Sequence, residues 1–146
     1  MRGRIYSVGY EGFELAGFVE SLVSARVSLV VDVRLAPLSR KRGFSGKSLS
    51  AKPGEVGIAY RHEVDLGNPP ENRDAFRHGD PEQGRQRMRR LLSNGAGPAL
   101  ERLVEDASRR RVAVLCVERS RLRCHRQVIT DMVQEIDPTI EVVQIL

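Results

Sequence analysis

Two short, almost uninterrupted apolar segments constrain the fold of this chain more than any other feature. They are residues 29–33, with the sequence LVVDV, and residues 112–116, with the sequence VAVLC. Short apolar runs rich in β-branched side chains are typical of strands that are buried on both faces of a parallel sheet. Because such a sheet carries helices on both faces, these segments predict an α/β domain.

The rest of the sequence supplies the other elements of this fold. Strands are also predicted over residues 5–8, 58–64 and 140–146, and helices over residues 13–25, 81–93, 98–107 and about 122–136. Asp80 followed by Pro81 is typical of a helix N-terminus. Residues 34–57 and 65–79 are predicted loops, the first with a short helix near residues 46–52. The alternation predicts a three-layer α/β domain over residues 1–146, with a mostly parallel sheet of about five strands and helices on both faces.

Composition restricts the class of protein. Hydrophobic residues make up 40% of the chain and charged residues 29%, which is typical of a globular protein. No apolar run approaches the roughly 20 residues of a membrane-spanning helix, and the first ten residues predict a strand rather than a signal peptide. We therefore expect a cytoplasmic protein with no membrane partner. The cysteines, Cys116 and Cys124, are too few for a secreted disulfide scaffold, so we expect free thiols unless the two form a transient pair.

Positive charge is clustered along the sequence. The net charge is +5, and the basic clusters fall at residues 34–47, 85–90, 109–111 and 119–126. Such clusters attract phosphates, nucleic acids and anionic metabolites. The alternative is that they form the solvated surface of an arginine-rich protein.

Reactive and charged side chains follow three of the predicted strands. Tyr10 follows the first strand, Asp32 and Arg34 end the second, and Cys116 and Glu118 end the fourth. Ligands of open α/β sheets bind in the crevice beyond the carboxyl ends of the strands, so these residues are expected to face one shared hollow. The structural alternatives are an internal ion pair between Asp32 and Arg34 that braces the next loop, and an inert, buried Cys116.

Cys124 and His125 lie close to the predicted start of the last helix, among Arg121, Arg123 and Arg126. Positive charge and a helix N-terminus both lower the pKa of a thiol, and a neighbouring histidine can act as base or acid. The pattern therefore predicts a nucleophile or an anion-binding residue. The alternative is that Cys124 anchors the helix while the two residues after it hydrogen-bond to a loop.

Several known motifs are absent. A cysteine phosphatase loop starting at Cys116 needs arginine at position 122, which is leucine, and there is no glycine-rich phosphate loop. Cys116, Cys124, His125 and His62 are suitable metal ligands by type. Their spacing matches no standard zinc pattern, so we expect neither a metal nor a cofactor.

The chain resembles the domain-of-unknown-function family 488 from end to end. The segments that carry the resemblance are residues 5–10 with Gly12, residues 31–34 with Pro37, Ser39 and Arg40, residues 43–45, residues 58–60 with His62, residues 66–67, residues 115–118 and residues 124–126. The chain departs from the pattern in its unusually basic residues 119–123 and in Pro53-Gly54, which interrupts the short helix. The resemblance supports the α/β fold and the choice of site residues, and it implies no reaction.

Three hypotheses follow. The first is an enzyme that acts on a phosphate- or nucleotide-like anion, with the anion held by Arg34, Arg40 and Arg126. Its expected reactive residues are Cys116, Glu118, Cys124 and His125, with either cysteine as nucleophile, and its expected binding residues are Tyr10, Asp32, Arg34, Ser39, Arg40 and Arg126. The second is a nucleic-acid-binding module with structural cysteines. The third is a protein-interaction domain.

Overall fold

The computed structural model of the protein describes residues 3–118, 120 and 124–145. The strands are β1 (Arg4–Gly9), β2 (Leu29–Asp32), β3 (Ala59–His62), β4 (Arg111–Cys116) and β5 (Glu141–Ile145). The helices are α1 (Leu15–Ser24), α2 (Gly46–Gly54), α3 (Pro70–Arg77), α4 (Pro81–Ser93), α5 (Gly97–Arg109) and α6 (Arg126–Ile136), and a 3-10 turn covers Val64–Leu66.

Among the described residues, the sheet contains five strands in the order β3-β2-β4-β1-β5, and all four pairings are parallel. The two apolar runs form β2 and β4, which lie side by side in the interior of the sheet. This confirms the predicted three-layer α/β fold. Because the strands are parallel, their carboxyl ends share one edge, where Gly9 lies opposite Cys116 and Asp32 opposite Leu115.

A separate hydrophobic core covers each face of the sheet. One contains apolar side chains of α4, α5 and α6 together with Val31, Val33 and Cys116. The other contains side chains of α1 and α2 together with Val30 and Leu115. Neighbouring residues of a strand point to opposite faces, so Asp32, between Val31 and Val33, faces the α1–α2 side. Cys116 faces the α5–α6 side.

One predicted loop is wrong and one helix boundary is shifted. Residues 65–79 contain α3, which begins with a proline at its first turn, where the missing N–H removes no helical hydrogen bond. Helix α6 begins at Arg126, so Cys124 and His125 lie in the turn before it. The predicted helix start at 122, the basic residues Arg119, Arg121 and Arg123, and the predicted strand end at 146 lie outside the described residues.

Two further boundaries differ from the prediction: α2 continues through Pro53 to Gly54, so this pair does not interrupt the helix, and the third strand ends at His62 rather than at residue 64. A short helix, α2, lies within residues 34–57, and the Asp80 side chain caps α4 by accepting a hydrogen bond from the backbone N–H of Glu82. Within the described part of the chain, no helix is both long enough and apolar enough to span a membrane.

Candidate functional site

A cavity of about 90 Å³ opens at the carboxyl edge of the sheet. We call it the strand-end cavity. Its walls come from the segment after β2, from α3, from the end of β4 and from the turn before α6. The lining residues are Arg34, Leu35, Ala36, Leu38, Asn68, Arg73, Phe76, Arg77, Cys116, Val117, Glu118, Cys124 and His125.

The two cysteines meet at the wall of this cavity. Cys116 is the last residue of β4 and Cys124 lies in the turn before α6, and their side chains are 1% and 2% exposed. Their sulfur atoms are joined in a disulfide. The expectation of free thiols is therefore wrong for this structure, because the strand end and the turn bring the two side chains together. The alternative expectation, that the cysteines pair, agrees with the structure.

His125 is oriented by the end of β2. Its Nε2 lies 2.8 Å from the carbonyl oxygen of Val33, and its Nδ1 lies 3.5 Å from Cys124 Sγ. A carbonyl oxygen can only accept, so Nε2 carries the proton. Burial lowers the pKa of His125 to about 4, so the ring is neutral at pH 7. The lone pair of Nδ1 therefore faces the sulfur, as a base for the Cys124 thiol requires.

Arg126 supplies a positive charge beneath Cys116. The side chain is fully buried, and it donates from Nε to Ser7 Oγ at 2.9 Å and from Nη1 to Cys116 Sγ at 2.8 Å. Nη1 also donates to the carbonyl oxygen of Glu118. Burial lowers the pKa of Arg126 to about 10, which leaves the guanidinium charged at pH 7. A charged donor on sulfur stabilises the thiolate form of a cysteine.

Glu118 connects the cysteines to α3. One carboxylate oxygen accepts hydrogen bonds from Arg77 Nε and Nη2 at 3.2 and 2.9 Å. The other, Oε2, lies 3.6 Å from Cys116 Sγ. The carboxylate therefore lies between a basic group of the cavity and one of the sulfurs.

Asp32, on the opposite face of the sheet, forms a buried ion pair with Arg34, which also reaches the wall of the strand-end cavity. Arg34 Nε and Nη2 donate to the two carboxylate oxygens at 2.9 and 2.6 Å, and Nη1 donates to the carbonyl oxygen of Phe44 at 2.6 Å. The hydroxyl of Tyr60 donates to Asp32 Oδ2 at 2.6 Å. Burial and this hydrogen bond to a carboxylate raise the pKa of Tyr60. The pair thus braces the loop after β2, as the structural alternative in the sequence analysis described.

Tyr10, Ser39 and Arg40 do not line the strand-end cavity, and Tyr10 and Ser39 lie beside this ion pair. Tyr10 stacks on Phe44 with ring centroids 4.6 Å apart, and its hydroxyl donates to Ser39 Oγ at 3.0 Å. The Arg34 guanidinium lies 5.5 Å from the centre of the Tyr10 ring. Arg40 is exposed. The selected residues therefore divide into two groups, and Cys116, Glu118, Cys124, His125 and Arg34 reach the cavity.

Sequence reasoning missed the two basic residues that α3 contributes. Arg73 and Arg77 line the cavity, and Arg73 Nε donates to the carbonyl oxygen of Asn68 at 3.3 Å. Both lie in residues 65–79, for which the sequence predicts a loop. Pro69-Pro70-Glu71 was the available signal, because proline at the first helical position and an acidic first turn are typical of a helix start. Two arginines four residues apart then share one helix face.

The model of one protein family matches residues 14–133, under the description "Domain of unknown function DUF488". The chain belongs to the DUF488 family. The match confirms the family inferred from the sequence over residues 14–133, which include both cysteines, His125 and the ion pair of this DUF488 protein; residues 5–12, which also carried the resemblance, lie outside the match. Comparison with curated proteins and with solved structures finds no match.

Proposed function

We propose that this DUF488 protein is a cytoplasmic, cysteine-dependent enzyme that acts on a small anionic substrate in the strand-end cavity. The observation that carries the proposal is the relation between His125 and Cys124. A histidine held by a backbone carbonyl through one nitrogen presents the other nitrogen to a sulfur 3.5 Å away. This is the arrangement of a base and a nucleophile whose base is oriented by a third group.

Cys124 is the nucleophile in this proposal and His125 is its base. In the reduced protein, Nδ1 takes the thiol proton as Sγ bonds to the electrophilic atom of the substrate. The bond from that atom to the leaving group breaks, and the leaving group takes the electron pair. His125 then returns the proton to the leaving group, so that charge and atoms balance. General acid–base assistance of this kind contributes about 10²–10⁴-fold to a rate.

Cys116 regulates access to this nucleophile. A small thiol of the reducing cytoplasm opens the disulfide when its thiolate attacks Cys124 Sγ and Cys116 leaves with the electron pair. The guanidinium of Arg126, which donates to Cys116 Sγ at 2.8 Å, makes Cys116 the better leaving group. A second thiol then frees Cys124 and leaves as the small-molecule disulfide.

Arg73 and Arg77 are the anion-binding residues that we propose. Within the described residues, Arg73 donates only from Nε, to the carbonyl oxygen of Asn68, whereas Arg77 donates to Glu118, so an anion takes the place of that carboxylate on Arg77. All three donor nitrogens of Arg34 donate to Asp32 or to the carbonyl oxygen of Phe44, and Arg126 donates inward to Ser7 and to sulfur. We therefore do not retain the anion clamp of Arg34, Arg40 and Arg126.

Cavity size limits the substrate that this proposal allows. A volume of about 90 Å³ holds about three water molecules at roughly 30 Å³ each. This suits a phosphate- or carboxylate-sized group rather than a whole nucleotide. A larger substrate would therefore insert only its anionic, electrophilic end.

The nucleic-acid alternative draws less support. On α4, Arg85 pairs with Glu82 at 2.9 Å and Arg89 pairs with Glu135 at 2.8 Å, so part of the basic cluster is neutralised. A phosphate backbone would have to compete with these carboxylates.

Two alkylating reagents, one anionic and one neutral, test the proposal. Iodoacetate carries a carboxylate and iodoacetamide does not, so the ratio of their rates with Cys124 in the reduced protein reports attraction of an anion. We expect a ratio above that of a small free thiol, and a fall of about tenfold in Arg77→Gln. Arg87→Gln, which removes an exposed charge of α4 outside the cavity, is the matched control and leaves the ratio unchanged.

Two results would overturn the proposal. One is a rate ratio equal to that of the free thiol. The other is an equal fall of the ratio in both arginine variants, because a general field of positive charge, rather than a site, would then attract the reagent.

A further inference from the structure

We propose that Cys116, Cys124 and His125 form a zinc site when the bond between the two sulfurs is reduced. This inference goes beyond the enzymatic role proposed above and does not depend on it, because a chain can bind zinc without catalysing a reaction. It also departs from the sequence expectation of no metal.

Distances within the cluster fit a single ion. The two Sγ atoms and a ring nitrogen of His125 all lie within 4.8 Å of one another. Zinc binds thiolate sulfur at about 2.3 Å and imidazole nitrogen at about 2.0–2.1 Å, so a tetrahedral ion holds a sulfur and a nitrogen about 3.6 Å apart. Cys124 Sγ and His125 Nδ1 lie 3.5 Å apart. Once reduced, Cys116 Sγ needs only to separate from Cys124 Sγ to complete three ligands.

The surrounding groups orient these ligands. Metal-binding histidines commonly donate their second ring N–H to a carbonyl or carboxylate, which fixes the ring and raises the basicity of the ligating nitrogen. The carbonyl oxygen of Val33 accepts this hydrogen bond at 2.8 Å. Arg126 Nη1 donates to Cys116 Sγ at 2.8 Å, which supports the thiolate form that a cation requires. Two of the three ligands are therefore fixed by hydrogen bonds without the ion.

Glu118 is placed to be the fourth ligand. Its Oε2 lies 3.6 Å from Cys116 Sγ, while Oε1 is held by Arg77. The three main ligands are buried, and all of them line the strand-end cavity, which provides an entry path. Two thiolates, one imidazole and one carboxylate are a suitable set for Zn²⁺. Mg²⁺ and Ca²⁺ prefer oxygen ligands and are not expected to bind.

The spacing of these ligands along the chain argued against a metal in the sequence analysis, although their types were suitable. The cysteines are eight residues apart, one at the end of β4 and one in the turn before α6, which is wider than the gap of about two to four residues in standard zinc motifs. The ligands meet only because the carboxyl end of β4 and the turn before α6 are neighbours in the folded sheet. A search for closely spaced cysteine pairs therefore does not find them.

Zinc binding requires reduction of the disulfide, and both steps balance in atoms and charge. A water-soluble phosphine gives two electrons to the disulfide and becomes the phosphine oxide, while water supplies its oxygen and the two thiol protons. Zn²⁺ then replaces one proton on each thiol, so one ion releases two protons. The oxidised protein has no thiolate to offer.

Zinc titration of the full-length, phosphine-reduced protein against a chromophoric chelator tests the site. We expect one equivalent of Zn²⁺ to bind with release of two protons, and no such binding to the oxidised protein. Cys124→Ser and His125→Gln should each weaken binding by more than about 100-fold, beyond the usual cost of losing an outer hydrogen bond. His78→Gln changes an exposed histidine at the end of α3 and should bind as the wild type does.

Cobalt absorption of the wild-type protein provides a readout that needs no variant to fold. Co²⁺ in this site should give the intense visible bands of a four-coordinate ion and a sulfur-to-cobalt charge-transfer band. Six-coordinate cobalt without sulfur charge transfer would overturn the proposal, as would equal zinc affinity of the reduced and oxidised proteins. The enzymatic role is tested separately, on the metal-free reduced protein, so the two proposals can fail independently.

Discussion

His125 Nε2 donates a hydrogen bond of 2.8 Å to the carbonyl oxygen of Val33, which joins the turn before α6 to the residue that follows β2. The two residues are 92 positions apart in the sequence. This contact fixes the tautomer of the ring and directs Nδ1 to Cys124. The chemistry proposed for the strand-end cavity depends on this orientation.

Replacing His125 by glutamine should slow alkylation of Cys124 at pH 7 by roughly 10²-fold, the lower end of the range for loss of a general base. Glutamine keeps a polar side chain of similar length but cannot take the thiol proton. The measurement is the rate of carboxymethylation of Cys124 in the reduced, metal-free protein, followed by peptide mass spectrometry. His78→Gln serves as control. Equal rates in wild type and His125→Gln would contradict a base role.

The same histidine should make folding stability depend on pH. Its pKa is lowered from 6.5 to about 4 by burial, so between these values the unfolded chain binds the proton and the folded chain does not. The contribution of the neutral ring to the free energy of unfolding is therefore complete above pH 6.5 and is lost as the pH falls toward 4. The loss amounts to about 3 kcal/mol.

Urea unfolding of the disulfide-bonded protein at pH 7 and pH 4 measures this contribution. The decrease in the free energy of unfolding should be about 3 kcal/mol larger in wild type than in His125→Gln, since the variant lacks the titrating ring. Identical decreases in the two proteins would show that the ring is not buried in its neutral form.

Asp32→Asn should destabilise the protein by about 3–5 kcal/mol, because it leaves the buried guanidinium of Arg34 without its ionised partner. The matched control is Glu82→Gln. It breaks the exposed pair with Arg85 and should cost no more than about 1 kcal/mol. Unfolding in urea at pH 7 provides both values. A similar, small cost for the two variants would mean that the Asp32–Arg34 pair does not brace the loop after β2.

Gly67→Ala should destabilise the protein by about 1–3 kcal/mol. A Cβ at this position would lie 2.6 Å from Leu35 Cα, so the backbone that lines the strand-end cavity would have to move. Gly54→Ala, in α2, meets nothing within 4 Å and should be neutral or stabilising by about 0.5–1 kcal/mol. Thermal unfolding of the two variants compares their stabilities. An equal change in both would contradict the close approach of residue 67 to Leu35.

Local sequence signals were sufficient for most of the fold. Apolar runs identified β2 and β4, and the Asp80-Pro81 pair identified the start of α4. Helix α3 was missed because it is short and follows two prolines, which also occur in loops. Its two arginines were lost with it, so the basic side of the cavity could not be predicted.

The grouping of site residues depended on geometry that the sequence does not contain. Asp32 lies opposite Leu115, so Asp32 and Cys116 point to opposite faces of the sheet. A shift of register by one residue would reverse this. The sequence therefore could not show that Asp32 lies apart from the cysteines while its partner Arg34 reaches the cavity that they line.

The pH dependence of Cys124 alkylation in the reduced, metal-free protein tests the central claim most directly. The rates are followed for each cysteine by peptide mass spectrometry, with Cys116→Ser to isolate Cys124. Neutral His125 takes the thiol proton during the reaction. Our account therefore requires the alkylation rate to reach half its maximum at a pH well below the pKa of about 8.5 of an ordinary thiol. In His125→Gln this pH should rise toward that value. Midpoints near 8.5 for both cysteines of the wild-type protein would contradict it.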